Sequence, residues 1–234
     1  MMMNCFLRFV SKVAFCKVRF DRAGEDGFVK RLGDIVDLRE IDMSLNHKIG
    51  VRVLQKLPPN ILANLTDFNI DSCTFVKLLE KTDFAFPNLE CLKMSSGFGV
   101  IEKIVTTSER FPALESVAIV AVRYLDSVEN LTFAENAFPT VKNLSIKGYD
   151  KDNFEFDVQF AFEIIKNWLQ KLRSVKKATI NIVSYKLHFL VEQSLHDAFR
   201  LIDFGVDLDL TLQNVFNENI VYQLQYKLPG PKHV

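Results

Sequence analysis

Acidic side chains alternate with apolar ones in two short segments of this chain, and the strongest chemical expectation comes from them. The alternating polar residues are Glu40 and Asp42 in the first segment and Asp67, Asn69 and Asp71 in the second. Alternate residues of an extended strand share one face, so these carboxylates would form an acidic patch. Such a patch favours a partner with a basic segment. The alternative is an ordinary solvated sheet face with no binding role.

Residue patterns typical of catalysis or of ligand binding are missing from the sequence. The histidines, His47, His188, His196 and His233, form no recognisable constellation. No G-x-S-x-G nucleophile motif occurs, and Gly97-Phe98-Gly99 lacks the lysine of a phosphate loop, which favours a turn. We therefore expect a protein that is not an enzyme and has no catalytic residues, cofactor or metal. The alternative is an α/β enzyme or small-molecule-binding domain without a recognisable catalytic motif.

Composition narrows the class of protein further. The apolar fraction of 48% is ample for a core, and 29 basic residues balance 29 acidic ones. This neutrality argues against nucleic acid as a partner. No stretch approaches the roughly 20 apolar residues of a membrane helix, and no clear signal peptide is present. The four cysteines lack zinc-ligand spacing. We expect reduced thiols in a cytoplasmic or nuclear protein with no membrane partner.

A repeat in the sequence predicts the strands and helices that position the acidic residues. The pattern apolar-x-x-apolar-x-apolar starts at residues 15, 38, 65, 89, 114, 141 and 175, which gives steps of 23, 27, 24, 25, 27 and 34 residues. Repeats of this length indicate stacked supersecondary units. In each copy, the part with alternating apolar residues predicts a short strand. Helical spacing predicts helices over Thr74–Lys81, Phe98–Glu109, Val158–Leu172 and Leu187–Phe204.

A second motif marks the start of three consecutive copies. These are Phe86-Pro87-Asn88-Leu89, Phe111-Pro112-Ala113-Leu114 and Phe138-Pro139-Thr140-Val141. Proline ends a preceding helix and biases the residue before it toward an extended backbone. We expect each phenylalanine to turn into the core.

The repeats resemble leucine-rich repeats, whose consensus continues with Asn or Cys after the third apolar position. Asn46 and Cys73 occupy that position in the copies that start at 38 and 65. The resemblance implies that both side chains hydrogen-bond the backbone of the turn leaving the strand. The irregular spacing is most similar to the divergent repeats of invertebrate F-box proteins. The resemblance implies an α/β solenoid, with a parallel sheet on the concave face and helices or irregular turns on the convex face.

Three parts of the chain are expected from this pattern. Residues 1–183 hold about seven irregular repeats, 184–226 form a helix-strand cap or a last repeat, and 227–234 form a disordered tail. Val206 to Leu212 alternate as an eighth strand should. Leu57-Pro58-Pro59-Asn60-Ile61-Leu62 is similar to the opening of an F-box, but its place between repeats favours a helix stop.

Function is expected at the concave face of the sheet. The first strand would present Lys17, Arg19 and Asp21 there. The residues predicted to bind a partner protein are Glu40, Asp42, Asp67, Asn69, Asp71 and Lys93. Repeat surfaces of this kind typically bind proteins. The resemblance implies a narrower function, the substrate-recognition part of an F-box-type ubiquitin-ligase receptor, which would reach a cullin-ligase adaptor through a missing or upstream F-box.

Overall fold

A computed structural model gives the fold of this α/β chain. It describes residues 11–14, 22–35, 37–43, 50–95, 103–104, 106–121, 138–150, 158–184, 205–216 and 219–228. The strands are β1 (Lys12–Ala14), β2 (Glu40–Asp42), β3 (Asp67–Asp71), β4 (Cys91–Ser95), β5 (Ser116–Ala121), β6 (Asn143–Asp150), β7 (Lys177–Ser184), β8 (Asp207–Phe216) and β9 (Asn219–Leu228). The helices are α1 (Arg22–Gly33), α2 (Gly50–Lys56), α3 (Pro59–Ala63), α4 (Ser72–Lys81) and α5 (Val158–Lys171), and Ser108–Arg110 form a 3-10 turn.

Within each part of the chain described below, the strands lie side by side in the order of the chain. β1 to β4 pair in parallel, and so do β6 to β8. β9 pairs antiparallel with β8. The expectation of an α/β fold with a mostly parallel sheet is therefore confirmed.

The chain divides into two compact units. The first comprises Met1–Ser96 and Thr106–Val117, and the second comprises Gly97–Val105 and Ala118–Val234. The sequence pattern, which continues from one unit into the next, did not indicate this division.

Phenylalanines fill the core of the first unit. Phe86 stacks on Phe111 with ring centroids 5.4 Å apart and on Phe68 at 5.9 Å. Phe75 of α4 contacts both Phe68 and Phe111, at 6.2 and 5.8 Å. All four side chains are almost fully buried. Aromatic pairs at these separations add stabilisation beyond the burial of their area. α4, β3 and the first two Phe-Pro motifs thus contribute to one aromatic cluster in the core.

Each Phe-Pro motif forms a tight turn that leads into its strand. The first apolar residue of the repeat donates its N–H to the phenylalanine carbonyl three residues earlier, at 3.2 Å for Leu89 to Phe86, 3.2 Å for Leu114 to Phe111 and 3.1 Å for Val141 to Phe138. Proline suits the second position of such a turn because its ring fixes φ. The three phenylalanines are buried, as expected. Phe138, however, has φ 57°, so the expected extended backbone is wrong there.

Within each unit, neighbouring repeats are joined by a backbone carbonyl that accepts two N–H groups from the next repeat. In the first unit, the Thr66 carbonyl accepts the N–H groups of Glu90 and Cys91, both at 2.9 Å. In the second unit, the Lys142 carbonyl accepts those of Lys176 and Lys177, at 2.8 and 3.1 Å. Thr66 and Lys142 occupy the same position of the apolar pattern, directly after its first apolar residue. The sequence repeat is therefore also a repeat of hydrogen bonding.

Apolar residues of the second unit align across three strands. The parallel register places Leu144 beside Ala178 and Ala178 beside Leu208, and all three are buried. The predicted helix at 158–172 is confirmed as α5, whose Trp168 and Leu169 are buried. The predicted eighth strand is confirmed as β8, parallel to β7.

Other expectations differ from the structure or fall outside it. The first strand lies at Lys12–Ala14, with Val13 beside Ile41, instead of in the frame that starts at Phe15. β9 continues to Leu228, so the strand includes the first two residues of the expected tail. The helix expected at 187–204 and half of the one at 98–109 lie outside the described residues, as do Lys17, Arg19, Asp21 and the other residues of 15–21.

The helix at 74–81 is confirmed as α4. α2 ends at Lys56 and α3 begins at Pro59, which agrees with a helix stop at Leu57-Pro58. None of the helices in the described ranges is long and apolar enough to cross a membrane.

The alternation of β4 makes a direct prediction about stability. Leu92 is 0% exposed, whereas its neighbour Lys93 is exposed. Leu92→Ala should lower the free energy of unfolding by about 2–5 kcal/mol, since it removes packed methyl groups from the core. Lys93→Ala should change it by about 0.5 kcal/mol or less. Urea unfolding followed by circular dichroism measures both. Equal losses for the two variants would contradict the inward and outward assignment.

Candidate functional site

Strand register brings the predicted acidic residues of the first unit together. Glu40 of β2 lies beside Asp67 of β3, which lies beside Cys91 of β4. One step along the strands, Asp42 lies beside Asn69, and Asn69 beside Lys93. Adjacent strands are about 4.8 Å apart, so side chains in each row are within reach of one another.

The opposite side of the same strands is apolar. Ile41, Phe68 and Leu92 alternate with the polar residues and are 0–2% exposed. Asp67 and Asn69 between them are half-buried, and Lys93 is exposed. The predicted division of these strands into a core face and a polar face is therefore confirmed.

The polar face contains a shallow hollow of about 40 Å³. We call this site the acidic hollow; it is lined by Lys12, Glu40, Ile41, Asp42, Asp67, Phe68, Asn69, Cys91 and Lys93. A water molecule needs about 10–15 Å³ by this measure, so the hollow has room for a few waters or for the head group of one side chain.

Lys12 adds a positive charge that the sequence reasoning missed. Its ammonium group lies 2.7 Å from a carboxylate oxygen of Glu40. The hydrogen bond to Glu40 and the charge of that carboxylate raise the pKa of Lys12, with smaller contributions from Asp42 and Asp67. Both partners are substantially exposed, so this ion pair contributes little to stability. Lys12 was missed because the first strand was expected in a later frame.

Asp67 accepts a hydrogen bond from the residue before it. The Thr66 hydroxyl donates to Asp67 Oδ2 at 3.1 Å. Cys91 lies beside Asp67 in the strand register, so the two side chains are close enough to affect each other's charge. Burial raises the pKa of the Cys91 thiol, and the negative charge of Asp67 raises it further, while Lys93 lowers it. Burial and the charge of Asp67 both favour the neutral thiol over the thiolate. The sequence placed Cys91 on this face without assigning it a role.

Asp71 does not belong to the exposed surface, and its expected position there is wrong. It is 3% exposed and is the N-cap of α4. Its carboxylate oxygens accept the N–H groups of Cys73 at 3.1 Å and Thr74 at 3.0 Å. A side chain at the end of a strand can satisfy the free N–H groups of the following helix, and aspartate does this well.

The resemblance to leucine-rich repeats gave this turn-binding role to Cys73 and Asn46. Cys73 is instead exposed in the first turn of α4, and Asn46 lies outside the described residues. The four histidines and Gly97-Phe98-Gly99 also lie outside them. Within the part of the chain that the structure describes, no group of His, Cys, Asp and Glu side chains could hold a metal ion.

The N-cap at Asp71 can be tested by two substitutions. Asp71→Ala should lower the free energy of unfolding by about 0.5–2 kcal/mol because two helix N–H groups lose their acceptor. Asp71→Asn should retain most of the stability, since the amide oxygen can still accept. Urea unfolding of both variants measures the difference. An equal loss in both would show that the charge of Asp71, and not its role as an acceptor, stabilises α4.

The environment of Cys91 can be tested by alkylation at increasing pH with peptide mapping of each cysteine. The rate at Cys91 should rise with a midpoint above that of an ordinary thiol, because burial and Asp67 disfavour the thiolate. Asp67→Asn should lower that midpoint and Lys93→Ala should raise it. The rate at exposed Cys73 in the same samples controls for the reagent. A Cys91 midpoint that Asp67→Asn leaves unchanged would contradict the contact.

Comparison with known proteins does not assign the chain to a family. No protein-family model, no curated protein and no solved structure matches the chain. Its function has to be argued from the contacts and charges of the acidic hollow.

Proposed function

We propose that this chain is a non-enzymatic protein-interaction module whose acidic hollow binds a basic side chain of a partner protein. The fold that we assign to it is a solenoid of the leucine-rich-repeat type. The repeated turn and the repeated carbonyl contact described above support this assignment. Both recur at equivalent positions of the apolar pattern, as stacked repeats require.

The observation that carries the proposal is the set of charges around the acidic hollow. Glu40, Asp42 and Asp67 contribute three carboxylates, against the two ammonium groups of Lys12 and Lys93. Lys12 is already engaged with Glu40. The balance at the hollow is therefore negative, and a guanidinium or ammonium group is the complement that it favours.

The size of the hollow supports a side chain as its ligand. A volume of about 40 Å³ is far below the roughly 300–1,000 Å³ of small-molecule pockets. One cationic head group could enter while the rest of the partner lay across the polar face. An extended sheet face with a local anchoring site of this kind suits protein recognition.

The restricted side chain of Asp67 also supports the binding of a cation in the acidic hollow. The Thr66 hydroxyl donates to its carboxylate and the side chain is half-buried, so it loses less freedom when a cation binds. A ligand that meets a preorganised acceptor loses less free energy to ordering.

The narrower form of the proposal is an intracellular substrate-recognition module of a ubiquitin-ligase receptor of the F-box type. It is supported by the resemblance of the repeats at 38–146 to those of F-box proteins. In this form the acidic hollow would bind a basic segment of the protein to be modified.

Binding of two peptides tests the proposal directly. The probes are an arginine-rich peptide and a glutamate-rich peptide of equal length, each measured by fluorescence anisotropy. The wild-type protein should bind the basic peptide, and Asp67→Lys should weaken that binding by about tenfold or more, since it removes a charged acceptor and adds repulsion. Equal binding of both peptides, or an unchanged affinity in Asp67→Lys, would contradict the proposal.

Glu109→Lys is the matched control for this experiment. Glu109 is exposed in the 3-10 turn and does not line the hollow, so the substitution changes the net charge equally without touching the site. Affinity purification with the same variants extends the test to cellular partners. Proteins lost with Asp67→Lys but kept with Glu109→Lys would support the binding site, and a cullin-ligase adaptor among the recovered proteins would support the narrower form.

A further inference from the structure

The second unit ends in an edge strand whose outer side has no partner strand among the described residues. β9 pairs with β8 on one side, and it is the last strand in the order of the sheet. An edge strand presents a row of unpaired backbone N–H and C=O groups, which can pair with another strand.

The composition of β9 favours such pairing. Its regular part, Tyr222 to Leu228, contains neither proline nor glycine, and Lys227 is its only charged residue. Natural proteins protect edge strands with prolines, several charges or very short length. β9 is ten residues long, Asn219–Leu228, so it is not a short edge strand.

An irregularity in the pairing of β9 with β8 marks the start of the regular part of β9. Asn214 lies beside Tyr222, but the next residue, Val215, lies beside Ile220. Val221 is therefore left without an opposite residue, as in a β-bulge. From Tyr222 onward, β9 follows β8 one residue for one to Leu228.

We propose that this regular part of β9 pairs antiparallel with the β9 strand of a second copy, about a two-fold axis at Gln225. In that register Gln225 faces Gln225 of the second copy, and Gln223 faces Lys227 of the second copy. Leu224 then faces Tyr226 of the second copy, so no like charges are opposite each other. The two ends of the regular part, Tyr222 and Leu228, also meet, and the whole regular part is used.

The faces of β9 agree with this register. Gln223, Gln225 and Lys227 are exposed, whereas Tyr226 between them is 4% exposed. A two-fold axis perpendicular to the sheet keeps the exposed residues of both copies on one side and the buried ones on the other.

Side-chain contacts on β8 and β9 show that the exposed glutamines already form cross-strand pairs. Gln213 of β8 donates to Gln223 at 3.2 Å, and Gln225 donates to Asp209 of β8 at 3.4 Å. Gln225 beside its copy would extend these amide contacts into the neighbouring strand. This self-complementary register is the reason for proposing a second copy as the partner.

Sedimentation equilibrium over a range of protein concentrations tests the proposal with the full chain. The wild type should form a dimer. Gln225→Glu or Gln225→Lys should each weaken the dimer up to roughly fivefold, because identical charges face each other at the axis. A mixture of the two variants should form a heterodimer tighter than either variant alone, since opposite charges then meet.

Ser145→Glu is the control, because Ser145 is exposed on β6, which is separated from β9 by β7 and β8, so the substitution should leave the dimer unchanged. Thermal melts check that each variant is folded. A wild type that stays monomeric at every concentration would overturn the proposal. So would a dimer that is equally tight in both Gln225 variants, since its interface would then lie elsewhere.

Discussion

The feature on which the rest of the structure depends is the carbonyl that accepts two N–H groups from the next repeat. Through the Thr66 carbonyl, β4 is fixed one residue for one against β3, so that Asp67 lies beside Cys91. A slip of one residue would turn every side chain of β4 to the other face and bury Lys93 in place of Leu92. The alternating apolar residues exclude a slip of one residue, and the hydrogen bonds to Thr66 select this register among those that remain. The position of the acidic hollow is thus a consequence of core packing, although its polar residues contribute little to the core.

Much of this could be predicted because the repeat supplies the register. Leu89-x-x-Leu92-x-Met94 and its neighbours predict both the strand and its buried face, and aligning the copies gives the pairing without further information. The first strand could not be placed in the same way. Val10, Val13 and Phe15 fit the apolar pattern as well as Phe15, Val18 and Phe20 do. The choice between these frames depends on pairing with Ile41, which a local pattern does not contain. Lys12 was lost from the predicted site for this reason.

Prediction from the sequence also failed where a side chain could serve either the sheet surface or a neighbouring element. Asp67 and Asp71 stand at opposite ends of β3, and alternation assigns both to the polar face. The chain turns into α4 directly after Asp71, whose carboxylate therefore caps that helix. For Cys91, the neighbour that raises its pKa comes from the previous repeat, so its environment appears only once the strands are paired. β9 was missed because parallel repeats gave no reason to expect a hairpin, although Tyr222, Leu224 and Tyr226 alternate as a strand should.

The loss of Asp71 from the surface narrows what the acidic hollow can recognise. The remaining carboxylates, Glu40, Asp42 and Asp67, lie on two adjacent strands and surround room for one head group. Glu40 is shared with Lys12, a flexible and exposed cation that an incoming arginine could displace at little cost. Contacts of this size set the orientation and the rate of association more than the affinity, and they weaken as salt screens them. A stable complex would then need further contacts along the polar face. On this argument, the proposed role of the acidic hollow is to select and orient a basic partner, and the neighbouring strands would supply the area that holds it.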